Sequence, residues 1–112
     1  MIHEMKLNEN AFLNIKNGIK KFELRLNDEK RQKLSLNDNI KFHNLNNIDE
    51  IISVKIIGLL RYNSFKDLFI DIDYNLCGPA NSLEEKLERV HIFYTTEEEQ
   101  KYGILAIKIE LI

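Results

Sequence analysis

Between Gly18 and Asp28 the chain alternates with a period of two: Phe22, Leu24 and Leu26 take one parity, while Lys21, Glu23, Arg25 and Asn27 take the other. Successive side chains of a strand point to opposite faces, so this stretch must be a strand with one apolar face and one charged face. The apolar face is expected to build a core and the other to display charge. Lys20, Glu23 and Arg25 carry both signs within six residues, an array that can hold an anion or move a proton.

The rest of the chain surrounds this strand with alternating elements. Ile2 to Leu7 reads as a first strand. Asn8 or Asn10 can cap a short helix from Ala11 to Asn17, and Gly18 supplies its left-handed stop. Asn27 to Lys33 is a charged turn with about one helical turn of its own. Asn37 and Asp38 mark a turn before an alternating strand carrying Ile40, Phe42 and Leu45. A loop over 44–49 precedes Ile51 to Tyr62, whose near-continuous apolar character predicts a central strand buried on both faces. Ser64 caps a helix that turns Phe65, Leu68 and Phe69 inward, and Cys77-Gly-Pro-Ala80 breaks the chain. Ser82 to Glu85 is a capping-box pattern opening a helix through about Arg89. Thr95 or Thr96 opens a last short helix that Gly103 ends. Ile104 to Ile112 closes the chain as a strand. One domain over residues 1–112, beginning and ending on β, fits an α+β fold built on a partly closed barrel of five or six strands with short helices between them.

Charge and cysteine usage narrow the setting. A net charge of −2 excludes wrapping nucleic acid by global charge. Its distribution is uneven: Lys16 to Lys33 holds seven bases against three acids, and Ser82 to Lys101 six acids against three bases. The lone Cys77 cannot pair within the chain, which fits a reducing compartment. No positive-then-apolar leader stands at Met1 and no apolar stretch is long enough to span a bilayer, so a cytoplasmic protein without a membrane is expected. His3 reads as a hydrogen-bonded strand residue and His43 and His91 as isolated, no His, Cys or carboxylate group has metal-ligand spacing, and the four glycines are scattered, so neither a metal nor a cofactor is expected.

The spacing Gly18-x-Lys20-x-x-Glu23-x-Arg25 resembles the ASCH domain of the PUA-like superfamily. So do the opening His3-x-Met5-x-Leu7, Phe12-x-x-Ile15-Lys16-x-Gly18, Leu26 to Gln32, Asp38-x-Ile40-x-Phe42, Ser64-Phe65 and the ending Glu97-Glu98-Glu99-x-x-Tyr102-Gly103. The resemblance covers essentially the whole chain and is closest to small stand-alone bacterial members. Ala11 stands where such proteins commonly have Pro, and Asn37-Asp38 where Gly-Asp is common.

This resemblance implies a small β-barrel whose cleft, beside the Lys20/Glu23/Arg25 strand, takes RNA or a nucleotide-like ligand. Arg25 offers a two-toothed fork and Lys20 a compact charge, both suited to phosphate. In the competing reading Glu23 neutralises one of them and the strand face is simply exposed, where each ion pair contributes about 0–1 kcal/mol. Asn27, Lys30 and Arg31 extend the candidate surface, and Tyr94 and Tyr102 could stack a base. One ASCH-like activity is amidohydrolysis of N4-acetylcytidine. Its motif resembles Gly18, Lys20 and Arg25 here but has Thr where this chain has Glu23, so the hydroxyl nucleophile is missing. A hydrolase on a modified nucleoside or RNA would need Glu23 and Lys20 as an acid-base pair. A third reading is a protein-interaction module presenting Glu97 to Glu99.

Overall fold

The computed structural model describes residues 1–112. Five strands form one curled sheet: β1 (Ile2–Leu7), β2 (Phe22–Leu26), β3 (Asn39–Asn44), β4 (Asn47–Tyr62) and β5 (Ile104–Leu111). Four helices fill the gaps: α1 (Glu9–Lys16), α2 (Phe65–Asp71), α3 (Leu83–Phe93) and α4 (Thr96–Tyr102). Short 3-10 turns occur at Arg31–Lys33 and Tyr74–Cys77. Sheet order is β1-β3-β4-β5-β2, with β1 parallel to β3 and the remaining pairs antiparallel. The sheet thus curls into a half-barrel whose two edges, β1 and β2, face each other without pairing.

Local chemistry explains most boundaries. Asn8, Ser64, Ser82 and Thr95 each accept a backbone N–H of the following turn, satisfying donors that a helix start leaves free. Thr95 and Glu98 form a reciprocal capping box. Gly103, at φ 71°, ends α4 in a conformation that favours glycine.

Two cores flank the sheet. Inside the half-barrel, Phe12, Ile40, Phe42, Val54, Ile56, Leu105 and Ile107 pack together with their neighbours. Outside it, Phe22, Leu24, Leu26, Ile104 and Ala106 pack against Phe65, Leu68 and Phe69 of α2. Strand β5 therefore contributes to both cores, its odd residues inward and its even residues outward.

That arrangement corrects the expectation for Ile51 to Tyr62. The segment does lie centrally, between β3 and β5, but Ile51, Ile57 and Leu60 are exposed while Val54 and Ile56 are buried. The helical layer packs over β5 and β2 and leaves this part of β4 covered on one side. The doubly buried strand is β5. Strand β4 also begins earlier than expected, at Asn47, after a tight turn rather than a loop, and α3 runs on past Arg89 to Phe93. His3 is a hydrogen-bonded strand residue, paired with Asp38, whereas His43 and His91 are not isolated: His43 pairs with Glu4 and His91 lies 3.6 Å from Glu99. No helix is long and apolar enough to cross a membrane.

Candidate functional site

Register decides where the charged face of β2 points. Glu23 lies opposite Ile107 and Arg25 opposite Leu105, and residues directly opposite in an antiparallel pair share a face. Leu105 and Ile107 line the half-barrel. The charged face of β2 therefore looks into the barrel, and Phe22, Leu24 and Leu26 look out to the helices. This corrects the expectation of a charged face on display: Glu23 is 3% exposed.

A buried carboxylate needs partners. Glu23 has two: Lys20 Nζ lies 2.7 Å from Oε1, and Arg25 Nε donates to Oε2 at 2.8 Å. Burial alone would raise the Glu23 carboxyl, but the two cations and their hydrogen bonds hold it below the usual carboxylate range. Arg25 Nη2 also donates to the Lys6 carbonyl at 3.3 Å. That bond links the two unpaired edges of the sheet.

A cavity of about 370 Å³ opens at this seam. Its walls come from the end of β1, α1, the residues around Lys20, β2, the Cys77-Gly78 turn and α3. Lys6, Lys20, Arg25, Lys86 and Arg89 line it against one carboxylate, Glu23. Phe93, 65% exposed, and the partly buried Tyr94 border it. The Tyr94 ring stacks on Phe65 with centroids 5.7 Å apart, and burial pushes its hydroxyl up.

The expected residues divide. Lys20, Glu23, Arg25 and Tyr94 meet at the cavity. Arg31 does not line it but is close enough to Arg25 and Tyr94 to act on them electrostatically; burial first, then Arg25, lowers its pKa. Its Nε is buried with no hydrogen-bond partner. Asn27 and Tyr102 do not join this cleft. They line a second groove with Arg61, Tyr62 and Lys101, because Asn27, just after β2, donates its backbone N–H to the Gly103 carbonyl, next to the last residue of α4. Lys30 is exposed and lines neither. The Glu97 to Glu99 run is largely structural: Glu98 caps α4, and buried Glu99 accepts from Phe65 N at 2.9 Å.

Lys86 and Arg89 were not singled out in the sequence. Leu83, Lys86, Leu87 and Val90 occupy the i, i+3, i+4 and i+7 positions of one helix stripe. A lysine inside an apolar stripe was the available signal for Lys86. No cluster of three or more His, Cys, Asp or Glu residues is placed to hold a metal ion.

The model of the ASCH domain family matches residues 5–112. The chain is similar to a hypothetical protein, PH0355, whose crystal structure superposes with a TM-score of 0.90 at 38% identity, covering 100% of each chain. It is also similar to protein PF0455 from Pyrococcus furiosus, solved by solution NMR, with a TM-score of 0.80 at 34% identity over 100% of this chain and 98% of that one. These relatives are archaeal, so they lend no support to the bacterial type expected from the motifs. No curated protein matches the chain.

Proposed function

Because this chain belongs to the ASCH domain family, a PUA-like fold, we propose that it binds single-stranded RNA, or a nucleotide-like anion, in the seam cleft between β1 and β2. One observation carries this reading: five basic side chains line the cavity, and the single carboxylate among them is already engaged by two of them. Such a cleft has an excess of positive charge that a phosphate-bearing ligand would neutralise. Phe93 and Tyr94 supply aromatic faces on which a base can stack.

Glu23 acts as an anchor in this reading. It holds Lys20 and Arg25 in fixed directions, which lowers the entropy cost of presenting them to a ligand. A hydrolase using Glu23 as general base would have to free one oxygen from a cation first, and the depressed carboxyl pKa makes it a poor proton acceptor at neutral pH. Binding is therefore the better supported role. The buried, unpaired Cys77 supports a reducing, cytoplasmic setting.

The test is fluorescence anisotropy with short single-stranded RNA at low salt. Binding that weakens at least about tenfold in both Lys20→Ala and Arg25→Ala, in folded protein, is expected. Unchanged affinity in both variants would remove the cleft from consideration.

A further inference from the structure

Lys86 is the one basic side chain that is buried, at 4% exposure, and no carboxylate pairs with it. Its Nζ donates to the Gly78 carbonyl at 2.6 Å and the Cys77 carbonyl at 3.0 Å. An ammonium has three protons, so one remains for a further acceptor. Lys86 also lines the seam cleft. A buried, uncompensated cation on a cavity wall is costly unless an anion completes it.

The charges around the cleft fall into two groups. Lys20, Arg89, Glu23 and the Cys77 thiol act on Lys86. Arg25, Arg31, Asp28 and Glu23 act on Tyr94. Glu23 alone belongs to both, with Lys20 on one oxygen and Arg25 on the other. In the inner group Lys86 and Cys77 are buried beside Gly78, while Arg89 keeps part of its side chain in solvent.

We propose that Lys20, Lys86 and Arg89 form a second anion subsite that takes the terminal phosphate monoester of a nucleic-acid strand, the next phosphate along meeting Arg25. This rests on the cleft binding RNA. A monoester carries about −1.5 to −2 charges at neutral pH, against one for an internucleotide diester, which suits a pocket whose only carboxylate is shared with Arg25. Arg89 brings a guanidinium already steadied by Glu85 and by the Pro79 carbonyl.

Burial lowers Lys86 to about 8, so preference for a phosphorylated end should decline as pH rises through that value; the groups facing the ammonium are Lys20, Glu23, Cys77 and Arg89.

The experiment compares three pentauridylates by anisotropy at low salt: one with hydroxyl ends, one with a 5′-phosphate and one with a 3′-phosphate. One phosphorylated form is expected to bind at least about tenfold tighter than the hydroxyl form. Lys86→Met should weaken the phosphorylated form more than the hydroxyl form and so erase that advantage. Arg89→Gln, altering a partly exposed side chain, should shrink it and serves if Lys86→Met does not fold. Equal binding of all three oligonucleotides to the parent protein would overturn the terminal-phosphate subsite while leaving the cleft intact. Binding of none would overturn the RNA reading and this subsite with it.

Discussion

The guanidinium of Arg25 on one sheet edge donates to the backbone carbonyl of Lys6 on the other, 3.3 Å away, while its Nε holds Glu23. One side chain thus spans the seam that strand pairing leaves open. Lysine keeps the charge but cannot make both contacts. Arg25→Lys is expected to weaken RNA binding roughly tenfold and to lower the urea midpoint. Anisotropy and urea unfolding read the two effects, and parental values in both would show that the fork contributes nothing.

Glu23→Gln removes the counter-charge of two cations at a nearly solvent-free position. A loss of about 3 kcal/mol in unfolding free energy is expected. Affinity for RNA, in protein that remains folded, should fall, because Lys20 and Arg25 lose the group that fixes their directions. A folded variant with unchanged or tighter binding would contradict the anchoring role.

Acid stability follows from the same carboxyl. The folded-state pKa of Glu23 lies below its unfolded value of 4.5, so the unfolded chain takes up a proton first. Its stabilising contribution is complete above that value and is lost as pH falls from about 4.5 through the folded-state pKa. Urea midpoints measured between about pH 6 and pH 3 should fall, with a smaller fall in Glu23→Gln. Equal slopes in the two proteins would mean that Glu23 is not the group responsible.

Arg31 and Lys30 are sequence neighbours with different surroundings: neither lines a groove, but Arg31 is partly buried and acts electrostatically on Arg25 and Tyr94, whereas Lys30 is exposed. Arg31→Ala is expected to weaken RNA binding and to flatten its salt dependence by roughly 0.7 in log–log slope, the share of one phosphate contact in single strands. Lys30→Ala should leave both unchanged. A salt titration of the two variants decides this, and the reverse pattern would move the site to the exposed turn.

Glu99→Ala tests the helical layer separately from the cleft. The carboxylate accepts from Phe65 N at 2.9 Å in the interior, and its removal orphans a buried donor. A cost of about 1–3 kcal/mol is expected, with RNA affinity of the folded protein unchanged. Stability within error of the parent would mean that another acceptor takes over.

Period-two alternation at Phe22 to Leu26, the caps at Ser64, Ser82 and Thr95, and the glycine stop at Gly103 were legible because each is set by chemistry within a few residues. The motif from Gly18 to Arg25 likewise singled out the three side chains whose tips meet. Local pattern could not say which face of β2 turns inward. That depends on pairing Glu23 with Ile107, more than eighty residues away, and on the half-barrel remaining open between β1 and β2. Nor could it show that α3 carries Lys86 to the same cavity, since helix docking depends on how Phe65, Leu68 and Phe69 fill the outer core. The sequence by itself determined the elements and their charges. Tertiary structure decided that the charged strand face is an interior wall, because register and closure are long-range properties that local periodicity does not encode.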